Sequence, residues 1–186
     1  MSNKARIIKD ICLIAAGIIM IIAFVIIGNT KQDETPTETD ASKFIKEYTG
    51  VSEDNVFVYK TSDEIIKTLE DGTGIVYMGF PECDWCQAYV VMLNDVAKDI
   101  GVKEIYYFNI KEDRANNTSD YKKIVGILEG ILLNDEEGNP RVYVPDVTFV
   151  KNGKIIGHDN ETSLDLKNKL RENMTTVITE ACETCN

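Results

Sequence analysis

The sequence predicts an α/β domain with a mixed central sheet of about four to five strands flanked by helices, preceded by a transmembrane helix. Apolar runs of strand length alternate with helical periodicity from about residue 55 to residue 178, which is typical of a sheet whose core strands are parallel. Asn152-Gly153 separates two later apolar runs and predicts a closing antiparallel hairpin. The run from Ile11 to Gly28 carries no charge, which predicts the membrane helix.

The uncharged run contains 18 residues. As a helix it would span about 27 Å, close to the roughly 30 Å hydrocarbon core of a bilayer. The competing interpretation is a cleaved signal peptide, whose apolar region is usually about 7–15 residues long and ends at a small-residue cleavage site. This run is longer, and Phe24 to Asn29 contains no Ala-x-Ala pattern. An uncleaved anchor is therefore favoured, with Cys12 as an apolar space-filler.

Charge predicts the orientation of the chain and restricts its partners. Lys4, Arg6 and Lys9 precede the anchor, so the positive-inside rule places the N-terminus in the cytoplasm and the remainder outside the cell membrane. After residue 28 the chain has 17 basic and 30 acidic residues, a net charge of −13. This balance argues against nucleic acid and against an anionic membrane surface as partners.

Composition divides the chain into four segments. Residues 1–28 are predicted to form the cytoplasmic N-terminus and the anchor. Residues 29–40 contain no aliphatic or aromatic side chain and are interpreted as a polar linker. Residues 41–180 are predicted to form the globular domain, and 181–186 a C-terminal tail with a second cysteine pair, Cys182 and Cys185.

Apolar periodicity and capping residues predict the elements of the domain. Thr61 to Glu64 has the form of a capping box, Gly101 is placed to end a helix, and residues 111–119 are polar. The segments expected to form strands are 55–60, 74–80, 102–110, 147–151 and 154–157. The segments expected to form helices are 44–48, 61–72, 86–100, 120–133 and 163–178, with 134–140 as a loop.

Cys83 and Cys86 are separated by two residues and lie between a predicted strand and a predicted helix. At a helix start the unpaired N–H groups and the helix dipole favour an anion, which makes Cys83 the expected attacking thiolate. Cys86 follows one turn later, where it is expected to be more buried and to resolve a mixed disulfide. Glu82 and Asp84 oppose the thiolate by their like charge, which favours a more reducing couple.

Two other interpretations of this pair remain open. A structural disulfide closing so short a loop would restrict the unfolded chain little. A Cys₄ zinc site would take Cys182 and Cys185 as its second pair, but these lie far along the chain in the tail. An oxidising exterior favours an accessory disulfide there, or a dithiol that exchanges with the first pair. Redox activity without a metal or cofactor is therefore the preferred hypothesis.

Two segments and the order of elements resemble the thioredoxin superfamily. The segments are GIVYMGFPECDWCQAYVVML and VPDVTFVKNGKIIG. The Phe-Pro-x-Cys-x-x-Cys-Gln motif within the first is most similar to bacteriocin transport accessory-type proteins. The resemblance implies a thioredoxin-like fold and disulfide exchange with protein or peptide thiols through Cys83 and Cys86. It implies a cis peptide bond at Val144–Pro145, with Val144 offering backbone hydrogen bonds to a bound peptide and Pro145 keeping metal off the sulfurs. Trp85 is expected to cover the sulfurs or to contribute to a docking surface.

The chain also departs from the superfamily. Tyr77 stands where many thioredoxins keep a buried acid as a proton acceptor, Glu82 replaces the usual Trp, and Asp84-Trp85 replaces Gly-Pro. These differences leave the direction of electron flow open. His158, the only histidine, is expected at the surface after the hairpin rather than beside Cys83 in a Cys/His nucleophilic site.

Two functional hypotheses follow. The first is a membrane-anchored extracytoplasmic thiol-disulfide oxidoreductase, with a membrane redox partner or transporter as a further candidate partner. The second is a non-catalytic accessory module that uses the same fold to bind a secreted peptide or a transporter.

Overall fold

The structure, a computed structural model, describes residues 38–160 and 166–179. The predicted anchor, the linker as far as residue 37 and the tail with Cys182 and Cys185 lie outside these residues. Among the residues described, no helix combines the length and the hydrophobicity that crossing a bilayer requires.

The described strands form one five-stranded sheet and one small two-stranded sheet. The five-stranded sheet has the spatial order β1-β3-β2-β6-β7, with β1, β3 and β2 parallel and with β6 and β7 each antiparallel to its neighbour. This confirms the predicted mixed sheet. The strands are β1 (Phe57–Tyr59), β2 (Gly74–Gly79), β3 (Ile105–Asn109), β4 (Leu133–Asn134), β5 (Pro140–Arg141), β6 (Asp146–Lys151) and β7 (Lys154–Asp159), of which β4 and β5 form the small sheet.

The helices pack on both faces of the five-stranded sheet. Helices α2 and α5 contact one another on one face, and α3 and α6 contact one another on the other. The helices are α1 (Asp40–Glu47), α2 (Ser62–Asp71), α3 (Asp84–Ile100), α4 (Lys111–Asn116), α5 (Ser119–Leu128) and α6 (Leu166–Thr179).

Alternation along β2 assigns its side chains to the two faces. Successive residues of a strand point in opposite directions, so Ile75 and Tyr77 pack with α3, while Val76 and Met78 pack in the separate core that includes α2 and α5. Cys86 is buried in the same core as Tyr77. The strand that precedes the cysteine pair therefore directs a tyrosine toward the second cysteine.

Local capping explains where most helices begin and end. The predicted box at α2 is present, since Thr61 Oγ1 accepts from Glu64 N and the Glu64 carboxylate accepts from Thr61 N. A second box, between Thr39 and Ser42, starts α1 at Asp40, inside the predicted linker. Gly101, in a left-handed conformation at φ 81°, ends α3 as predicted.

The segment between β3 and β6 differs from the prediction. Residues 111–119, predicted only as polar, contain α4, and Asn117 ends it in a left-handed conformation at φ 48°. Thr118 Oγ1 then caps α5, which stops at Leu128 rather than near residue 133. Residues 134–140, predicted as a loop, instead join β4 to β5 through a turn in which Asp135 Oδ1 accepts two backbone N–H groups.

The closing hairpin is confirmed. Asn152 and Gly153 both have positive φ angles, 49° and 70°, as a type I′ turn requires. Helix α6 is described from Leu166 onward and packs against α3, and residues 163–165 of its predicted start lie outside the described residues.

Candidate active site

Cys83 is the N-cap residue of α3, between the end of β2 and the first turn of the helix. Its extended backbone, with φ −91° and ψ 112°, lets Sγ accept the Cys86 N–H at 3.2 Å. The sulfur thus occupies the position in which Ser, Thr or Asp side chains satisfy helix N–H groups. Cys83 is half-buried and is a free thiol, so the sulfur expected to attack is accessible at the positive end of the helix.

Cys86 is one turn further along and its side chain is completely buried. Burial raises the pKa of the Cys86 thiol to about 12, and the side chain of Cys83 adds to this effect, while the backbone of Phe80 and the Tyr77 side chain act in the opposite direction. The two sulfurs are therefore as asymmetric as the sequence predicts for an attacking and a resolving thiol.

Gln87 braces the loop that carries the cysteines, a role that sequence reasoning missed. Its Nε2 donates to the carbonyl oxygens of Pro81 and Glu47, each at 2.8 Å, and its Oε1 accepts from Thr49 N at 3.0 Å. The amide therefore ties the loop before Cys83 to the end of α1. The only sequence signal for this role is the position of Gln87 directly after the second cysteine.

Val144 and Pro145 lie opposite the cysteines. The peptide bond between them is cis, as expected, and the Val144 carbonyl oxygen is 3.9 Å from Cys83 Sγ. Val144 is half-buried, whereas Pro145 is buried. The backbone of a half-buried residue thus lies beside Cys83 Sγ, where an extended peptide could bind.

Trp85 and Glu82 project from the cysteine loop toward solvent. The Trp85 side chain is 64% exposed, so of the two expected roles the structure fits a docking surface better than a cover over the sulfurs. Lys111 Nζ donates to the Glu82 carboxylate at 2.7 Å and lowers the pKa of Glu82. Part of the acidic charge expected to oppose a Cys83 thiolate is therefore paired with a cation from α4, and Asp84 is exposed.

Arg114 is a second residue that sequence reasoning missed. Its Nη1 donates to the Val142 carbonyl oxygen at 3.2 Å, and its Cζ lies 5.1 Å from the centre of the Phe80 ring, a cation–π distance. Burial and the neighbouring Arg141 lower the pKa of Arg114, while Cys83 and Cys86 act to raise it. The guanidinium therefore contacts both Phe80, the residue between β2 and the cysteine loop, and the backbone that leads to Val144.

A cavity of about 580 Å³ adjoins Val144. Its walls combine two cations with three acids: the lining residues are Arg114, Asp135, Glu136, Glu137, Arg141, Tyr143 and Val144. Tyr143 is 38% exposed, and Arg141 lies 5.8 Å from the centre of its ring. This concave, mostly polar surface is a candidate site for the residues that flank a substrate cysteine.

His158 is not a surface residue, and this part of the prediction is wrong. Only 11% of its side chain is exposed, and Nε2 lies 2.8 Å from Asp146 Oδ2, which is fully buried. The carboxylate needs a partner in the core, and the antiparallel register, which pairs Thr148 with His158, brings the imidazole to it. Nε2 thus bonds to Asp146 and not to a cysteine.

Residues 38–160 and 166–179 contain no group of three or more His, Cys, Asp or Glu side chains that could hold a metal ion. Cys182 and Cys185 lie outside these ranges. The Cys₄ hypothesis and the accessory disulfide therefore both stay predictions.

Comparison with known proteins gives structural similarity only. No family model matches the chain, and no curated protein matches it. Similar solved structures include thioredoxin O2 of Arabidopsis thaliana in its oxidized state, at 16% identity and a TM-score of 0.43, with 66% of this chain and 95% of that chain covered. Oxidized thioredoxin O1 of the same plant has 16% identity, a TM-score of 0.42 and coverages of 63% and 96%. The sheet order and the flanking helices described above themselves fit a thioredoxin-like fold.

Proposed function

We propose that this protein is a membrane-anchored, extracytoplasmic thiol-disulfide oxidoreductase that exchanges disulfides with protein or peptide thiols. The observation that supports this most directly is the asymmetry of the cysteine pair. Cys83 is accessible and accepts an N–H group at the start of α3, while Cys86 is fully buried one turn later.

The exchange runs in two steps that this geometry favours. The Cys83 thiolate attacks one sulfur of a substrate disulfide, so that a Cys83–substrate bond forms, the substrate bond breaks, and the leaving thiolate takes a proton from water. Cys86 then loses its proton to water and attacks Cys83, which forms the Cys83–Cys86 disulfide and releases the second substrate thiol. The substrate gains two electrons and the cysteine pair loses them, and the reverse sequence oxidises a dithiol.

The location and the finer family assignment rest on sequence features. The uncharged run 11–28, preceded by basic residues, supports a single membrane helix with its N-terminus in the cytoplasm. The motif from Phe80 to Gln87 supports placement among bacteriocin transport accessory-type proteins, with a secreted peptide or a transporter as a candidate partner. The exposed Trp85 beside Cys83 favours the second candidate, a module that binds such a peptide without catalysis.

The test uses the full chain in detergent with Cys12, Cys182 and Cys185 replaced by Ser, together with a peptide that contains one disulfide. Cys86→Ser is expected to accumulate a stable mixed disulfide with the peptide, since Cys83 attacks and nothing resolves it. The matched control, Cys83→Ser, is expected to give little adduct because Cys86 is buried. Equal adduct in the two variants, or none in either, would sink the enzyme hypothesis, and peptide binding without any adduct would favour the accessory module.

The predicted topology is tested with a membrane-impermeant thiol reagent on intact cells that express the Cys12, Cys182 and Cys185 replacements. Cys83 is expected to react from outside. Labelling that appears only after lysis would contradict the orientation.

A further inference from the structure

Tyr77 has a buried hydroxyl that the mechanism above does not use. The residue is fully buried in the middle of β2, and its Oη meets no hydrogen-bond partner of ordinary distance and angle within the described residues. Burying a hydroxyl without a partner destabilises the folded state, and nearly all such groups in native proteins are satisfied. The hydroxyl therefore calls for a partner that forms in another state of the protein.

The direction of this hydroxyl follows from Gly79, two residues further along the same face of β2. A Cβ added at Gly79 would collide with Tyr77 Oη and would lie 3.3 Å from Cys86 Sγ. The backbone does not require glycine there, because Gly79 is not among the residues with positive φ. The missing side chain instead leaves a small space that the phenol oxygen and the Cys86 sulfur both border.

The pKa of the Tyr77 phenol determines whether it can act as a base or only as a hydrogen-bond donor. Burial raises the pKa of Tyr77 well above its usual range, and Tyr48 and Cys86 add to the rise. At neutral pH the phenol therefore keeps its proton, so it can donate a hydrogen bond but cannot act as a base. The same phenol acts to lower the pKa of Cys86, against the effect of burial.

We propose that Tyr77 donates a hydrogen bond to the Cys86 thiolate as it attacks the mixed disulfide, across the space that Gly79 leaves open. This inference rests on the proposed function and deepens it. The Cys86 proton passes to water, the Cys86 sulfur bonds to Cys83, the bond from Cys83 to the substrate breaks, and the leaving thiolate takes a proton from water. Tyr77 keeps its own proton throughout. In the dithiol state the hydroxyl lacks a partner of ordinary distance and angle and interacts only weakly with Cys86, and a charged sulfur would strengthen that interaction.

The test isolates the resolving step in the full chain with Cys12, Cys182 and Cys185 replaced by Ser. Cys83 is first converted to its mixed disulfide with thionitrobenzoate, and release of the coloured thiolate then reports attack by Cys86. Tyr77→Phe, which removes only the hydroxyl, is expected to slow release about tenfold at pH 7. That factor corresponds to a rise of about two units in the pKa of the attacking thiol, because the thiolate fraction then falls about a hundredfold while its nucleophilicity rises about tenfold. The pH profile of the release rate should shift upward accordingly.

Tyr89→Phe is the matched control. Tyr89 is equally buried and packs against the Tyr77 ring, but its hydroxyl donates to Asp159 at 2.9 Å. This variant should lose a satisfied hydrogen bond, lower the urea midpoint of unfolding and release thionitrobenzoate at the normal rate. Tyr77→Phe should show the opposite pattern. Its urea midpoint of unfolding should not fall, and its release of thionitrobenzoate should be slow. A purely structural role for Tyr77 does not predict this combination.

The outcomes separate this inference from the function on which it rests. If the wild-type pair neither forms nor resolves the mixed disulfide, the proposed function fails. If it resolves normally and Tyr77→Phe matches it in rate and pH profile, only the role of Tyr77 is overturned. Alkylation of Cys86 by iodoacetamide in a Cys83→Ser variant needs no exchange step. Tyr77→Phe is expected to slow that alkylation about tenfold, and an unchanged alkylation rate would count against the hydrogen bond.

Discussion

Replacing His158 with Ala is expected to destabilise the domain strongly, because it leaves the buried Asp146 carboxyl without its imidazole partner in the core. Asp146 is completely buried, and its partners are His158 Nε2 at 2.8 Å and the Thr148 hydroxyl at 3.3 Å. After the substitution only the Thr148 hydrogen bond remains. Removing one partner of a buried ion pair typically costs about 3–5 kcal/mol.

Proton linkage gives an independent magnitude. Without His158, the Asp146 carboxylate avoids the cost of being buried as a charge by taking up a proton. Protonating a group of usual pKa about 4 at pH 7 costs about 4 kcal/mol. The same protonation at pH 5 costs only about 1.4 kcal/mol. The loss of stability in His158→Ala should therefore be smaller at pH 5 than at pH 7.

The wild-type protein should show the pH dependence of the intact pair. Burial acts to lower the pKa of His158, but the hydrogen bond and the charge of Asp146, with Asp159 nearby, raise it above 6.5 overall. A group with a raised pKa in the folded state contributes stability below its unfolded pKa and loses that contribution as pH rises through the folded value. Wild-type stability should thus decline above about pH 6.5. Burial also raises the pKa of Asp146, so this carboxyl adds to the loss of stability as pH rises. His158→Ala should begin to lose stability at a lower pH, because Asp146 without its partner is protonated in the folded state and ionised in the unfolded state.

The assay is urea unfolding of the detergent-solubilised full chain at pH 5, 6, 7 and 8. A constant slope of the free energy of unfolding against urea concentration is the check on two-state behaviour. Lys123→Ala is the control, because it breaks the exposed Lys123–Glu70 pair and should cost less than about 1 kcal/mol at every pH. A His158→Ala penalty as small as that of the control at pH 7, or one that does not change with pH, would refute the reasoning.

Four further substitutions test the rest of the site and the closing hairpin. Gln87→Ala removes the four side-chain hydrogen bonds of Gln87 and should lower the free energy of unfolding by about 2 kcal/mol. A loss of less than about 0.5 kcal/mol would contradict the bracing role. Trp85→Ala, at an exposed position, should change stability by less than about 0.5 kcal/mol yet slow mixed-disulfide formation with the peptide; an unchanged rate would exclude a docking role. Arg114→Ala should slow attack by Cys83 on an anionic aromatic disulfide at low salt and less so at high salt, as screening predicts, and a salt-independent effect would point to packing instead. Gly153→Ala, at φ 70° and against the Glu70 backbone, should cost more than about 1 kcal/mol by urea unfolding, and a neutral result would show that the turn can shift.

The sequence was sufficient for the parts of this fold that depend on local pattern. Strand alternation, the box at Thr61 and the Asn152-Gly153 turn each act within a few residues, so the sheet, α2 and the hairpin agree with the structure. The cysteine pair is also local, because its position follows from one strand end and one helix start. The division of 111–128 into two helices was missed, since Asn117 in a left-handed conformation leaves no periodic signal.

The missed features depend on contacts between distant segments. Arg114 reaches Val142, which is 28 positions away in sequence, and in the sequence it is one charge in a polar run. The pairing of His158 with Asp146 depends on the register of β6 and β7, which contains an irregularity between Phe149 and Val150. Hairpin length alone does not reveal which polar side chains become neighbours across such an irregularity.

The order of the exchange steps follows from where the structure places charge. In the proposed exchange Cys83 attacks first, because its half-buried side chain accepts an N–H group at the positive end of α3. Ionisation of Cys86 is costly chiefly because the thiol is buried, and the Cys83 side chain adds to the rise in the pKa of Cys86. Capture of the substrate removes the charge on Cys83 and thereby favours ionisation of Cys86 at the moment when resolution needs it. A buried second cysteine next to a neutral phenol therefore makes the resolving step sensitive to pH above neutrality.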